Sequence, residues 1–200
     1  MRSSVEYEAI VKEIIQIYLD YEIKILPIDL EDICRKMGFA LVPYSECERE
    51  AIPLLLKRSS KGFFVRRSHE TPATIYYNDF AVSNGEKRFT IAHEIKHYVY
   101  NENVDDENND DLADFFARFF LCPIPFLIVM ELIDPNDIVS HCNVSLTAAT
   151  YANSNIRERM KAYGHKVFDY EEPLLELLAS LEYFVYKTTH FDYGTGRWID

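Results

Sequence analysis

Residues 83–100 leave the chain little conformational choice. Ser83-Asn84-Gly85-Glu86 has the form of a capping box, in which the Ser hydroxyl and the Glu carboxylate each satisfy a backbone amide left free at a helix start. From Asn84 to about Tyr100 no proline intervenes, and the only glycine, Gly85, sits in the first turn. The pattern predicts a helix here, and the rest of the domain has to pack around it. That helix carries His93, Glu94 and His97. Residues four apart on a helix face the same way, about 5–6 Å from one another, so the two imidazoles can hold one metal ion between them. Glu94 lies one residue round the helix from His93, beside such an ion rather than on it, where it can take a proton from water. Zinc is the metal expected. It would lower the pKa of that water toward about 7 and polarise a carbonyl. The plain alternative is a solvated helix face bearing two histidines. H-E-x-x-H arises by chance roughly 0.02 times in a chain of this length and composition. Its position within a capped helix, after the strand-like Ile75-Tyr76-Tyr77-Asn78, lowers that figure further.

A zinc hydrolase site uses three protein ligands and keeps one position open. The third should be a carboxylate or histidine from another element. Asp110 and Asp114 stand at i and i+4 on the next predicted helix, Asp110 to Leu121, with Ala117 continuing the face. One carboxylate can then bind metal while the other accepts the spare ring N–H of a ligand histidine. Asp111 is the rival ligand, but its i+4 neighbour is Phe115, which has no oxygen to offer. Asp110 is therefore the preferred third ligand, Asp114 the carboxylate behind it and Asp111 the alternative. Without a metal, all three would simply be surface charge complementing a helix dipole. His69, His141, His165 and His190 have no partner at ligand spacing and read as surface or core residues. The acidic run Asp105 to Asp111 lacks the glycine and terminal Glu of a calcium loop, so it reads as a solvated loop at the mouth of the site. Tyr76, Tyr77, Tyr98 and Tyr151 are candidates for stabilising an oxyanion, with packing the default for each.

Around this helix the periodicity changes several times. Val5, Ile10, Ile14, Ile17 and Tyr21 predict an amphipathic helix over residues 4 to 21. A short helix follows Pro27, with Asp29 as its cap and Gly38 where a left-handed residue is wanted. Phe39 to Pro43, Gly62 to Arg66 and Ala73 to Asn78 read as strands of a small sheet. Residues 136 to 162 read as two short helices, with Val144-Ser145 as turn and cap. Glu171 to Tyr186 reads as a last helix, on the strength of Leu174, Leu177, Leu178, Leu181 and Val185. The fold class expected is α+β: a small sheet packed on a helical layer that carries the histidine helix, with a mostly helical C-terminal third. The segments expected are a zinc-binding domain over 1–130, a helical extension over 131–165 and a C-terminal helix and tail over 166–200.

The net charge of −12 argues against the chain gripping phosphate backbones, so nucleic acid is not an expected partner, whereas basic proteins are compatible. Arg157, Arg159, Lys161 and Lys166 cluster after the helix pair, but helix packing is the better reading of that segment. The opening Met1 to Tyr18 is acidic and amphipathic rather than basic and then apolar, which points to a cytoplasmic protein. The most apolar stretch, Phe115 to Met130, carries Arg118, Pro123 and Pro125 and is too short to cross a bilayer, so it reads as core, with no membrane association. Cys34, Cys47, Cys122 and Cys142 have no paired spacing and are expected as reduced thiols.

Arg88-Phe89-Thr90-Ile91-Ala92-His93-Glu94 to His97, followed by Ala113-Asp114-Phe115-Phe116-Ala117 and Leu121-Cys122-Pro123, resembles the ImmA/IrrE family of metallopeptidases. The resemblance extends upstream to Pro27-Ile28-Asp29-Leu30 and Gly38 and downstream to Val144-Ser145, covering roughly residues 5 to 162. It implies a zinc-dependent endopeptidase of bacterial, phage or mobile-element origin whose substrate is a helix-turn-helix repressor. Some members act as sensors, so a non-cleaving zinc-binding regulator is the alternative; an intact Glu94 favours the enzyme, since binding zinc does not require it. The chain departs from the family pattern in carrying Lys96 in place of the usual Gly, Asp rather than Glu as third ligand, and the bulky Phe119-Phe120. Lys96 is expected to be exposed, with a local contact to acidic residues as the alternative.

Overall fold

The computed structural model describes residues 4–69, 71–80, 82–100, 110–178, 191–192 and 197–198. They form an α+β chain that divides into two compact units, residues 29–117 and residues 1–28 with 118–200. Helix α1 (Ser4–Asp20) packs with helix α9 (Glu172–Leu178) and the 3-10 turn Asp169–Glu171 within the second of these units.

In the unit of residues 29–117, helix α2 (Leu30–Met37) begins where the Asp29 carboxylate accepts from the Asp32 amide at 3.0 Å. It ends at Gly38, whose φ of 84° only a glycine adopts cheaply. Strand β1 (Phe39–Pro43), helix α3 (Ile52–Arg58), strand β2 (Gly62–Val65) and strand β3 (Ala73–Tyr77) follow. The sheet order is β1-β3-β2, with β1 parallel and β2 antiparallel to the central β3. Ile75 pairs with Leu41 on one side and Phe64 on the other and is fully buried.

Helix α4 (Asn84–Val99) starts at the expected capping box: the Ser83 amide donates to Glu86 Oε2 at 2.9 Å, and the Glu86 amide donates to Ser83 Oγ at 3.2 Å. It packs on β2, β3 and α2. Ile91, Ala92 and Ile95 are buried, and Tyr98 fits between the rings of Phe39 and Phe64, with centroids 4.8 and 5.6 Å away. Helix α5 (Asp110–Leu121) opens with the two aspartates weighed as ligands.

Two helices carry no sequence signal. All of α3 is part- or fully exposed, so there is no apolar stripe to give it a period, although Pro53 in its first turn suits a helix start. Helix α6 (Ile124–Val129) is the reverse: all six residues are buried, and a helix apolar all round has no period either. The stretch Asp110–Val129 is long and apolar enough to cross a membrane, but 78% of its most apolar 18-residue window is buried and Cys122-Pro123 breaks it into α5 and α6.

In the unit of residues 1–28 and 118–200, Ile10, Ile14, Ile17 and Tyr18 form the buried stripe of α1, and the Tyr18 hydroxyl donates to the Phe120 carbonyl at 2.7 Å. The expected helix pair is α7 (Pro135–Cys142) and α8 (Leu146–Tyr163), capped by Asp134 and Ser145. Arg159 does not join an open basic cluster. Its guanidinium lies in two hydrogen bonds, 2.6 and 2.5 Å, to the buried carboxylate of Glu171 and a third, 3.0 Å, to the Lys166 carbonyl. Of the last helix expected, residues 179–186, with Leu181 and Val185, lie outside the described residues. Short strands β4 (Phe191–Asp192) and β5 (Arg197–Trp198) pair antiparallel where no strand was expected. All four cysteines are free thiols, Cys34, Cys122 and Cys142 buried.

Candidate metal centre

Three of the expected site residues converge. His93 and His97 face the same way on α4, their ring centroids 5.0 Å apart. Together with Asp110, at the start of α5, they present ligand atoms that all lie within 4.8 Å of one another. His93 Nδ1 lies 3.0 Å from Asp114 Oδ1, and His93 Nε2 lies 3.9 Å from Asp110 Oδ1. A carboxylate at Nδ1 holds the ring proton there and leaves the Nε2 lone pair directed at the cluster. Asp111 is exposed and is not in the cluster. The loop of residues 101–109 lies outside the described residues, as does His190; His69 and His141 are exposed.

Glu94 is the most enclosed carboxylate of the site, 6% exposed. Burial raises its pKa above the usual carboxylate range, against the lowering effects of the His93 charge, a hydrogen bond from the Phe64 backbone N–H, and Arg58. Its Oε2 is buried and accepts no hydrogen bond among the described residues. A cleft of about 290 Å³ is lined by these groups: His93, Glu94, His97, Asp110 and Asp114 on one side, and Arg58, Ser59, Lys61, Gly62 and Phe63 on the other. Two nitrogens and one carboxylate oxygen, with a buried orphan carboxylate oxygen beside them, are a donor set that suits a divalent metal.

None of the four tyrosines considered for an oxyanion lines this cleft. Tyr76 stacks on Phe63 with centroids 5.3 Å apart, Tyr98 donates to the Met37 carbonyl at 3.4 Å, Tyr77 faces a separate depression with Glu31 and Cys34, and Tyr151 lies against Arg118. Lys96 corrects the expectation of exposure. It is fully buried, with Nζ 5.4 Å from the Tyr100 ring centroid, because α4 is buried on almost every side from Ile91 to His97. Sequence reasoning also missed the opposite wall of the cleft. Gly62 gave the one usable signal, a glycine at a strand where another element comes close. A Cβ there would stand 2.7 Å from both Thr90 Cγ2 and the Tyr76 carbonyl.

The arrangement is a candidate divalent-metal site. The family model of the IrrE N-terminal-like domain, peptidase family M78, matches residues 47–151, just over half of the chain, and the chain belongs to this ImmA/IrrE family of metallopeptidases. No curated protein and no solved structure matches it.

Proposed function

We propose that the chain is a zinc-dependent endopeptidase that cleaves a protein partner in the cytoplasm, a helix-turn-helix transcriptional repressor of a phage or mobile element. The observation that carries this reading is the buried Glu94 carboxylate, with an oxygen unpartnered among the described residues, beside the convergent His93, His97 and Asp110. Those three residues would hold Zn2+, with Asp114 fixing the tautomer of His93. Zinc bound there supplies Lewis acidity, polarising a carbonyl and acidifying water. Glu94 takes the proton of the attacking water at Oε2 and returns it to the leaving amine. A pKa raised by burial makes it the stronger base for that task near neutral pH.

The repressor as substrate follows from the family and from charge. A chain of net charge −12 attracts a basic DNA-binding protein over distance, and this attraction weakens as salt screens it. Contacts remote from the cleft can then place one bond over the site, so generic peptides should be cut poorly. The test mixes purified protein, zinc and the repressor encoded nearby, with Glu94→Gln as control, and looks for one cleavage by intact mass. Tight zinc-dependent binding without cleavage would instead establish a non-cleaving regulator.

A further inference from the structure

The wall of the cleft facing the histidines is built around a cation. Arg58 ends α3, with its guanidinium carbon 4.1 Å from the centroid of the Phe63 ring. Stacking of this kind restrains a side chain that would otherwise sample many rotamers. The turn that follows is pinned on every side. The buried Tyr44 hydroxyl donates to the Ser59 carbonyl at 3.1 Å. Ser59 Oγ accepts from the Lys61 and Gly62 amides at 3.2 and 3.0 Å. Asn78 donates from its side chain to the Ser60 carbonyl at 2.8 Å and from its backbone to the Lys61 carbonyl at 2.7 Å. Loop and sheet thus fix the turn that follows Arg58, while the exposed guanidinium itself is restrained by the Phe63 ring.

The acidic groups of the cleft already have partners or tasks. Asp114 is bonded to His93, Asp110 belongs to the donor cluster and Glu94 is buried beside it. With a divalent cation in the cluster, Arg58 and Lys61 on the far wall leave the loaded cleft cationic, within a chain that is strongly acidic as a whole.

We propose that Arg58, with Lys61 beside it, is the substrate-recognition cation of this cleft and takes the side-chain carboxylate of an Asp or Glu in the peptide segment lying across the site. This rests on the peptidase reading of the same cleft and narrows it. The acidic surface draws in a basic protein, but the bond presented to Glu94 lies next to an acidic residue of that protein. A guanidinium held planar and in place recognises a carboxylate through paired N–H donors, which Lys reproduces only in charge.

The experiment uses protein carrying Glu94→Gln, zinc-loaded, and a matched pair of short fluorescein-labelled alanine–serine peptides, one with a central run of Glu and the other with Gln in its place. Fluorescence anisotropy should show the Glu peptide binding roughly three- to tenfold tighter, a difference that shrinks in high salt. The preference should persist in metal-free protein, where no carboxylate can go to zinc. Arg58→Gln should bring the two affinities together, while Arg58→Lys keeps part of the difference, with zinc content unchanged in both. Equal binding of the two peptides, no binding of either, a preference that vanishes without zinc, or one that survives Arg58→Gln would overturn the proposal. A preference dependent on Arg58 in protein that takes up no zinc would leave this site standing and sink the metallopeptidase mechanism instead.

Discussion

The two walls of the cleft are built by opposite means. The α4 wall is local: one capping box, one uninterrupted helix and a four-residue spacing place His93, Glu94 and His97 together. The facing wall, from Arg58 to Phe63, is assembled from long-range contacts, with Tyr44, Asn78 and the β3 register each holding part of one turn. In the function proposed here the first carries the reacting groups and the second selects what reaches them. A helix can state chemistry in a short motif, whereas a pinned turn states selectivity only once the sheet has formed.

The largest effects should come from the local wall. His93→Ala or His97→Ala should abolish stoichiometric zinc binding, measured by metal analysis after dialysis. Glu94→Gln should keep zinc and lower hydrolysis by about 10²–10⁴-fold. Loss of zinc from Glu94→Gln would make Glu94 a ligand rather than the base. Next come the carboxylates of α5. Asp110→Ala should weaken zinc more than Asp111→Ala, and Asp114→Ala should cost on the order of 10–100-fold in affinity. An Asp110→Ala protein with unchanged affinity would pass the ligand role to Asp111 or elsewhere.

The assembled wall should fail differently, through packing rather than chemistry. Gly62→Ala forces β2 away from α4 and should lower unfolding free energy by about 1–3 kcal/mol in urea titrations. Adding Thr90→Ser removes one of the two close contacts and should recover only part of the loss, because the other is the Tyr76 carbonyl. Full recovery would show that the backbone contact does not matter.

The helix start offers the smallest and most specific test. Hydrogen bonds from the Ser83 backbone and hydroxyl lower the pKa of Glu86. A carboxylate depressed in the folded state stabilises the fold above its unfolded pKa, about 4.3, and loses that contribution as pH falls through the lower folded value. Wild type should therefore lead Glu86→Gln slightly near pH 6, and the lead should close toward pH 2. A gap that is constant across this range would mean that the Glu86 charge adds nothing to the cap.

Legibility followed the same division. Capping at Ser83, Asp29 and Ser145, the left-handed Gly38 and the three strands could be read because each depends on neighbours in sequence. So could the Asp110–Asp114 pairing, which is again a helix spacing. Helix α3 could not, for want of a buried stripe, and Arg58 belongs to no pattern because the ring it stacks on, Phe63, lies in the next element, β2, and the turn between them is held by Tyr44 and Asn78. Lys96 was misplaced for a related reason. A lysine normally marks the wet side of a helix, but α4 has almost no wet side over Ile91 to His97.

One bond between β2 and α4 also makes the site observable. The Phe64 backbone N–H donates to the Glu94 carboxylate, so a sheet amide is tied to the ionisation of the side chain assigned as the base. Its proton resonance should move downfield as Glu94 loses its proton, since an ionised carboxylate is the stronger acceptor. A backbone spectrum recorded against pH would then read the charge of Glu94 from its neighbour, with and without zinc, without any substrate being turned over.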